Sequence, residues 1–274
     1  MMVTPPRVAV VTGANKGIGF YIALQLGLSG LFSNIIIGCR DATRGSTACQ
    51  EIQQQVADTV KVQSMALTIG DRNSHSEFCK RMEEEFGKVD VLVNNAGFAY
   101  KGSDPTPFAG QTKKTLETNF FGLVDFTEQM LPLLRQGTDP RLVNVASMSG
   151  RLRQVSPELQ AKFSDPNLTM EQLQQLIKKF ERDVQNGIHR EEGWSNSNYG
   201  ISKLGVIAAT RIWARQEAPI IAVNCCCPGY CATDMSGHKG SRSASDGAKN
   251  AVIPAIMDNP PTGEFFSDYA VSQW

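Results

Sequence analysis

The sequence predicts a doubly wound α/β fold of Rossmann type: a parallel sheet with helices on both faces, interrupted by one helical insertion. Three observations carry this. Short apolar runs alternate with longer amphipathic stretches between residues 7 and 146. The runs are apolar on both faces, as strands buried between two helix layers should be, rather than alternating like strands with one wet face. A glycine-rich turn, TGANKGIG, separates the first run from the first helical stretch.

The elements follow in order. Arg7–Thr12 reads as a buried strand, Lys16–Ser29 as a helix, Asn34–Cys39 as a strand and Ala42–Ala57 as a helix. Val60–Leu67 is strand-like, Arg72–Phe86 helical, Val89–Val93 strand-like, Thr112–Leu134 helical and Arg141–Ala146 a fifth strand. Such alternation builds parallel strands joined by crossover helices. The pattern then breaks over about 150–193, which is polar and lacks β-branched runs. Ser156-Pro157-Glu158 offers an N-cap, a first-turn proline and an acid. Leu168-Thr169 leads into MEQLQQLIKKFERDV, with apolar residues near helical spacing. The segment reads as a two-helix insertion. Alternation resumes with a helix around Ser197–Gln216, a strand at Ile220–Cys226, a helix near Ser245–Ile256 and a short strand at Glu264–Phe266. There is no internal repeat, low-complexity tract or linker, so 1–274 reads as a single domain.

Bulk properties narrow the function. The 274 residues are 41 % hydrophobic and 20 % charged, a globular composition. Basic and acidic residues number 27 each, a balance that suggests neither nucleic acid nor an anionic membrane as partner. The seven cysteines are odd in number and three are adjacent, a poor disulfide framework, and no spacing of zinc-site type occurs. Free thiols in a reducing compartment, no bound metal and a cytoplasmic location are expected. The start of the chain, MMVTPPRVAVVTG, lacks the features of a signal peptide. No apolar run reaches the roughly 20 residues that span a bilayer.

Gly13, Gly17 and Gly19, with Asn15, Lys16 and Ile18 between them, form a loop that lets backbone approach a pyrophosphate at a helix N-terminus. Alone, this could be a plain strand-to-helix turn. The spacing is G-x-x-x-G-x-G, and four more segments follow in order: NNAG at Asn94–Gly97, TNFFG around Asn119, Tyr199-x-x-x-Lys203, and Pro228-Gly229. Together these five segments resemble the short-chain dehydrogenase/reductase family over nearly the whole chain.

The cofactor follows from the second strand. An acid at its end grips the ribose of NAD, whereas arginine there accommodates the 2′-phosphate of NADP. Here Cys39 stands where the acid is expected, followed by Arg40, with Arg44 a helical turn further on and Lys16 in the loop. Three cations can converge on one phosphate, so NADPH is the expected cofactor. Asp41 could instead pair with one of them. The resemblance extends the cofactor site to Thr68 and Ile69, to Asn95, Ala96 and Gly97, and to Pro228, Gly229 and Thr233. Thr68 replaces the aspartate that the family usually places against adenine.

Tyr199 and Lys203 are four residues apart on a helix and share one face. A nearby ammonium lowers a phenol's pKa, which makes tyrosine a usable proton donor to a carbonyl. Without the other motifs the pair would be a half-buried ring and a solvated amine. By resemblance, Ser147 polarises the substrate oxygen, with Ser149 as its local competitor, and the Asn119 side chain holds a water beside the lysine. The substrate pocket is expected from Phe98, Tyr100, Met148, Trp194 and Tyr230, whose aromatic surfaces suit flat apolar ketones and quinones. Cys226 and Cys227 are expected near it, either as inert buried thiols or as contacts for a glutathione conjugate.

The 52-residue step from Ser147 to Tyr199 is long for the family. With DPTPF at 104–108, SPELQ at 156–160, EGW at 192–194, TDM at 233–235 and the terminal Gln273-Trp274, it resembles the carbonyl reductase branch. Plant ketone reductases share the long insertion. The resemblance implies a monomer acting on small carbonyl compounds. Two alternatives stay open: a reductase dedicated to one natural-product or steroid-like ketone, and a non-catalytic cofactor-sensing protein. The second would be expected to have lost the tyrosine or lysine.

Overall fold

The computed structural model describes residues 6–274; the first five residues of the N-terminal reading lie outside the described residues. Strands β1 (Val8–Thr12), β2 (Asn34–Cys39) and β3 (Lys61–Ala66) alternate with helices α1 (Gly17–Leu28), α2 (Ala42–Gln53) and α3 (Arg72–Phe86). Then come β4 (Val91–Asn94), α4 (Phe108–Leu116), α5 (Gly122–Arg135) and β5 (Arg141–Val145). The insertion supplies α6 (Pro157–Ser164) and α7 (Met170–Gln185), followed by α8 (Asn198–Glu217), β6 (Ala222–Cys226), α9 (Ala244–Ile256), β7 (Phe265–Ser267) and β8 (Ala270–Ser272). The strands form one sheet in the order β3-β2-β1-β4-β5-β6-β7-β8, parallel except for the β7–β8 pair.

Alternate residues of each strand feed two cores. Val8 and Val10 of β1 pack with Phe78, Met82, Phe126 and Ile207 from α3, α5 and α8. Ala9 and Val11 pack on the other face with Ile22, Ile52 and Ala251 from α1, α2 and α9. This is why the central strand β1 is apolar on both faces, whereas the edge strand β3, partly exposed, carries Lys61, Gln63 and Ser64. The chain winds outward from β1 in one direction through β3, then returns to β4 on its other side. The crevice at that reversal, beyond the strand C-termini, is where such sheets bind ligands.

The insertion folds as its local signals predict. Ser156 caps α6, with Pro157 in the first turn. Thr169 and Gln172 form a reciprocal capping box on α7. Three features were not legible. The helix expected over Thr112–Leu134 begins earlier, at Phe108, and is split by a π turn at Glu117–Phe121. The backbones of Gly122 and Gly70 approach so closely there that a Cβ on Gly122 would stand 2.6 Å from the Gly70 nitrogen. The antiparallel β8 adds an edge strand, and a long loop between β6 and α9 crosses the mouth of the crevice.

Candidate active site

The cofactor crevice is a cavity of about 560 Å³. Its floor is the glycine loop. Gly13 has φ of 64°, and a Cβ there would meet the Ala96 Cα at 2.9 Å. A Cβ on Gly19 would press on the Gly13 carbonyl and the Asn95 amide. Both positions therefore exclude side chains, which leaves backbone facing the cavity. The loop is tied to the NNAG segment by Thr12: the Asn95 and Ala96 amides both donate to its hydroxyl at 3.0 and 2.9 Å, and Asn95 Nδ2 donates to its carbonyl. Lys16 precedes α1 without capping it through its side chain, so the first-turn N–H groups remain oriented to an anion.

Arg40 lines the cavity and has no carboxylate partner among the described residues. The other two cations do not converge with it. Arg44 pairs with Asp41 at 3.4 Å, is 63 % exposed and does not line the cavity. Asp41 also caps α2, so a local acid holds Arg44 back along its own helix. Lys16 lines the cavity but donates to Asp234 at 2.5 Å, across the mouth. That ammonium holds Asp234 below the usual carboxylate range. Thr68, Ile69, Asn95, Ala96, Gly97, Pro228 and Thr233 line the same cavity. Gly229 does not: it turns with φ of 84° beside the Arg242 guanidinium.

Tyr199 and Lys203 sit at the inner wall. The Lys203 ammonium is buried, donates to the Val145 carbonyl at 2.7 Å and lies 5.8 Å from the Tyr199 ring centre. Burial pulls its pKa down to about 8. Of the two serines, Ser147 is the one whose hydroxyl lies near the Tyr199 phenol; it also accepts the Ser149 amide at 3.1 Å. Burial pushes the phenol up to about 12, with Cys227 adding to the rise and the Ser147 hydroxyl opposing it. The sequence reading expected the lysine to lower this value. Desolvation prevails because the two side chains leave water together.

Asn119 is fully buried in the π turn. Its Nδ2 donates to the Phe98 carbonyl at 2.8 Å and to the Ser202 hydroxyl at 3.2 Å, while its Oδ1 accepts the Phe98 amide at 2.7 Å. The side chain pins the turn to the strand-end loop, and its Oδ1 accepts one bond of the two it can take. It stays near the lysine: a Cβ on Gly97 would lie 3.6 Å from Asn119 Oδ1 and 3.7 Å from Lys203 Nζ.

Of the expected pocket residues only Phe98 lines the cavity. Tyr100 packs edge-on against it at 4.8 Å. Met148 and Tyr230 are exposed beyond the cavity wall. Trp194 belongs to the core of the insertion: it is buried against Phe163 and Phe180, and its indole N–H donates to Asp183 at 2.7 Å. Its sequence position near Tyr199 misled because the insertion turns it away. Met235 and His238 line the cavity instead, both from the loop after β6. The TDM match pointed to that loop, but no periodic signal shows which of its side chains turn inward. Cys226 and Cys227 are buried and do not line the cavity.

Comparison with known proteins agrees with this geometry. The family model for short chain dehydrogenases matches residues 7–159 and 185–244, and its gap falls largely on α7. The chain belongs to the short-chain dehydrogenase family. This short-chain dehydrogenase is 43 % identical to human "Carbonyl reductase (NADPH) 1" over 98 % of each chain. It is 41 % identical to the mouse protein of that name, over 97 % of this chain and 98 % of the relative. Among solved structures it resembles salutaridine reductase from Papaver somniferum, with a TM-score of 0.86 and 29 % identity over 95 % of this chain and 99 % of that one. It also resembles menthone neomenthol reductase from Mentha piperita, with a TM-score of 0.82 and 29 % identity over 96 % and 99 %.

Proposed function

We propose that this protein reduces ketones, aldehydes and quinones to alcohols with NADPH. The observation that carries the reading is Tyr199: a phenol kept neutral by burial, near the Ser147 hydroxyl and beside the Lys203 ammonium, on a cavity that also holds Arg40. Human "Carbonyl reductase (NADPH) 1", 43 % identical, supports the same reaction.

The residues fit the dinucleotide. The side-chain-free floor at Gly13 and Gly19 accepts a pyrophosphate, and Arg40 is placed for a 2′-phosphate. NADPH, when bound, supplies the hydride. Ser147 and Tyr199 hold the carbonyl oxygen between two O–H groups. Charge builds on that oxygen as the carbonyl is reduced, and the Tyr199 hydroxyl gives it a proton. Lys203 stabilises the phenolate that remains.

At neutral pH Tyr199 rests in the protonated form that reduction uses. A phenol near 12 is already the acid that reduction needs, whereas oxidation would need the rare phenolate. Lys203 is cationic at pH 7 and loses its charge as pH rises through about 8. The kcat of reduction is therefore expected to be level below pH 7 and to fall above about pH 8. Arginine stays charged throughout. In Lys203→Arg, whatever turnover survives should lose that falling limb. A limb retained in that variant would assign the titration to another group.

A monomer in a reducing compartment, the cytoplasm, belongs to the same reading, as does a single domain. All seven cysteines are free, and α7 packs against α4 and α8. No described helix is long and apolar enough to cross a membrane, and no described His, Cys, Asp or Glu cluster could hold a metal.

The test is the initial rate of NADPH oxidation with quinones, isatin, aromatic aldehydes and steroid ketones, with NADH in parallel. Broad NADPH-driven turnover is the expected result. Turnover of a single ketone would favour a dedicated reductase, a reading that the structural likeness to the two plant enzymes supports. Tight NADPH binding with no turnover of any carbonyl would overturn both.

A further inference from the structure

Gln154 lies in a short turn just beyond the Ser147 loop, at the start of the insertion. It is half-buried and joins three separate segments. Its Nε2 donates to the Ser149 carbonyl at 2.5 Å and to the Gly200 carbonyl at 3.1 Å. Its Oε1 accepts the Ser195 hydroxyl at 2.9 Å. Ser149 is two residues from Ser147, Gly200 is the residue after Tyr199, and Ser195 ends the insertion. The amide orientation is dictated by its partners. Two carbonyls need two N–H donors, and a flipped amide would set its oxygen against both.

We infer that Gln154 is the positioning residue that sets the spacing between Ser147 and Tyr199, and that the insertion acts on the active site through it. The inference rests on the reading of Ser147 and Tyr199 as the pair that holds the substrate oxygen. Other contacts fix the serine loop from different sides. Trp274 Nε1 donates to the Gly150 carbonyl at 3.1 Å, and Arg151 donates to the Ser272 hydroxyl. Gly150 packs so closely on α8 that a Cβ there would stand 2.7 Å from the Lys203 carbonyl carbon. These hold the loop to the C-terminal segment and to the lysine turn. Gln154 adds a side-chain bracket to the tyrosine turn, and Gly200 leaves it room, since a Cβ there would collide with Oε1.

The chemistry demands such a bracket. Two O–H groups can hold one oxygen only when their separation matches it, and an error near 1 Å in placement can cost about 100-fold in rate. Outer partners that orient metal ligands matter by about 10- to 100-fold, and the same scale is expected where a side chain orients a catalytic pair.

The experiment compares Gln154→Leu and Gln154→Glu with the parent and with Tyr199→Phe, on a carbonyl that the parent reduces. Leucine keeps bulk and removes the amide. Its kcat is expected to fall about 30-fold, with the KM and the dissociation constant of NADPH within about twofold. Hydrogen exchange at Ser149–Arg151 should quicken, a readout independent of turnover. Glutamate cannot donate at pH 7 and faces two carbonyl oxygens. Its kcat should be low there and recover toward pH 5, where the protonated acid donates again, whereas the parent stays level across that range. A leucine variant with kcat within twofold of the parent overturns the inference, as does a loss matched by equal loss of NADPH affinity and melting temperature. If Tyr199→Phe keeps its turnover, the reading of the pair fails and the inference with it. If Tyr199→Phe is inactive while Gln154→Leu is unimpaired, the inference about Gln154 alone fails.

Discussion

Tyr199→Phe is expected to reduce kcat by about 1,000-fold, within the range that a placed general acid contributes. The phenylalanine ring fills the same space beside Lys203 and removes one oxygen. Lys203 keeps its bond to the Val145 carbonyl, because that bond comes from β5 and not from the tyrosine. The dissociation constant of NADPH should change by less than about threefold, since no cofactor-facing group other than the phenol is lost. Stability should change little, because the ring is kept and the polar interaction of a single hydroxyl is worth about 1 kcal/mol net. Stopped-flow single turnovers would locate the loss in the chemical step. A variant with a tenth or more of the parent's rate would mean that another group, or water, delivers the proton.

Arg40→Ala should separate the two nicotinamide cofactors. A charge-assisted, bidentate grip on a phosphate is worth about 1.5–3 kcal/mol, or roughly 10- to 150-fold in affinity. The loss should fall on NADPH alone, leaving NADH within about twofold, because only NADPH carries the 2′-phosphate. Arg40 bears this expectation by itself: Arg44 is turned to Asp41 and Lys16 to Asp234. Arg44→Ala should therefore cost NADPH less than about threefold. Titration of both cofactors by fluorescence quenching decides the matter, and equal losses for NADPH and NADH would refute the phosphate role of Arg40.

The expectation of three converging cations shows where sequence reasoning stops. Arg40 and Arg44 stand a helical turn apart in sequence, and both are basic. What separates them is Asp41, which caps α2 and draws Arg44 along the helix. Asp234, which holds Lys16, is 218 positions away. Trp194 shows the same limit. It lies five residues before Tyr199, yet its indole must satisfy its N–H once buried, and Asp183 of α7 provides the acceptor. Leaving such a donor unpaired costs about 1–3 kcal/mol, so the ring belongs to the insertion rather than to the cavity.

The α/β alternation, the glycine loop and the capped two-helix insertion were legible in the sequence, whereas Asn119 and Ser147 were singled out by family resemblance and Tyr199 and Lys203 by their spacing together with it. The alternation, the loop and the caps are local properties: periodicity and short spacings report on the segment that contains them. The tertiary structure decided the rest. It tied the Asn119 amide to Phe98 and Ser202, left Arg40 without an acidic partner among the described residues, turned Trp194 inward and joined the Ser147 loop to the Tyr199 helix through Gln154. It also reversed the expected direction of the Tyr199 pKa. Each of these depends on which groups far apart in sequence share one dry volume. A neighbouring charge can be read four residues away on a helix, but desolvation cannot, because it is set by everything packed around the group.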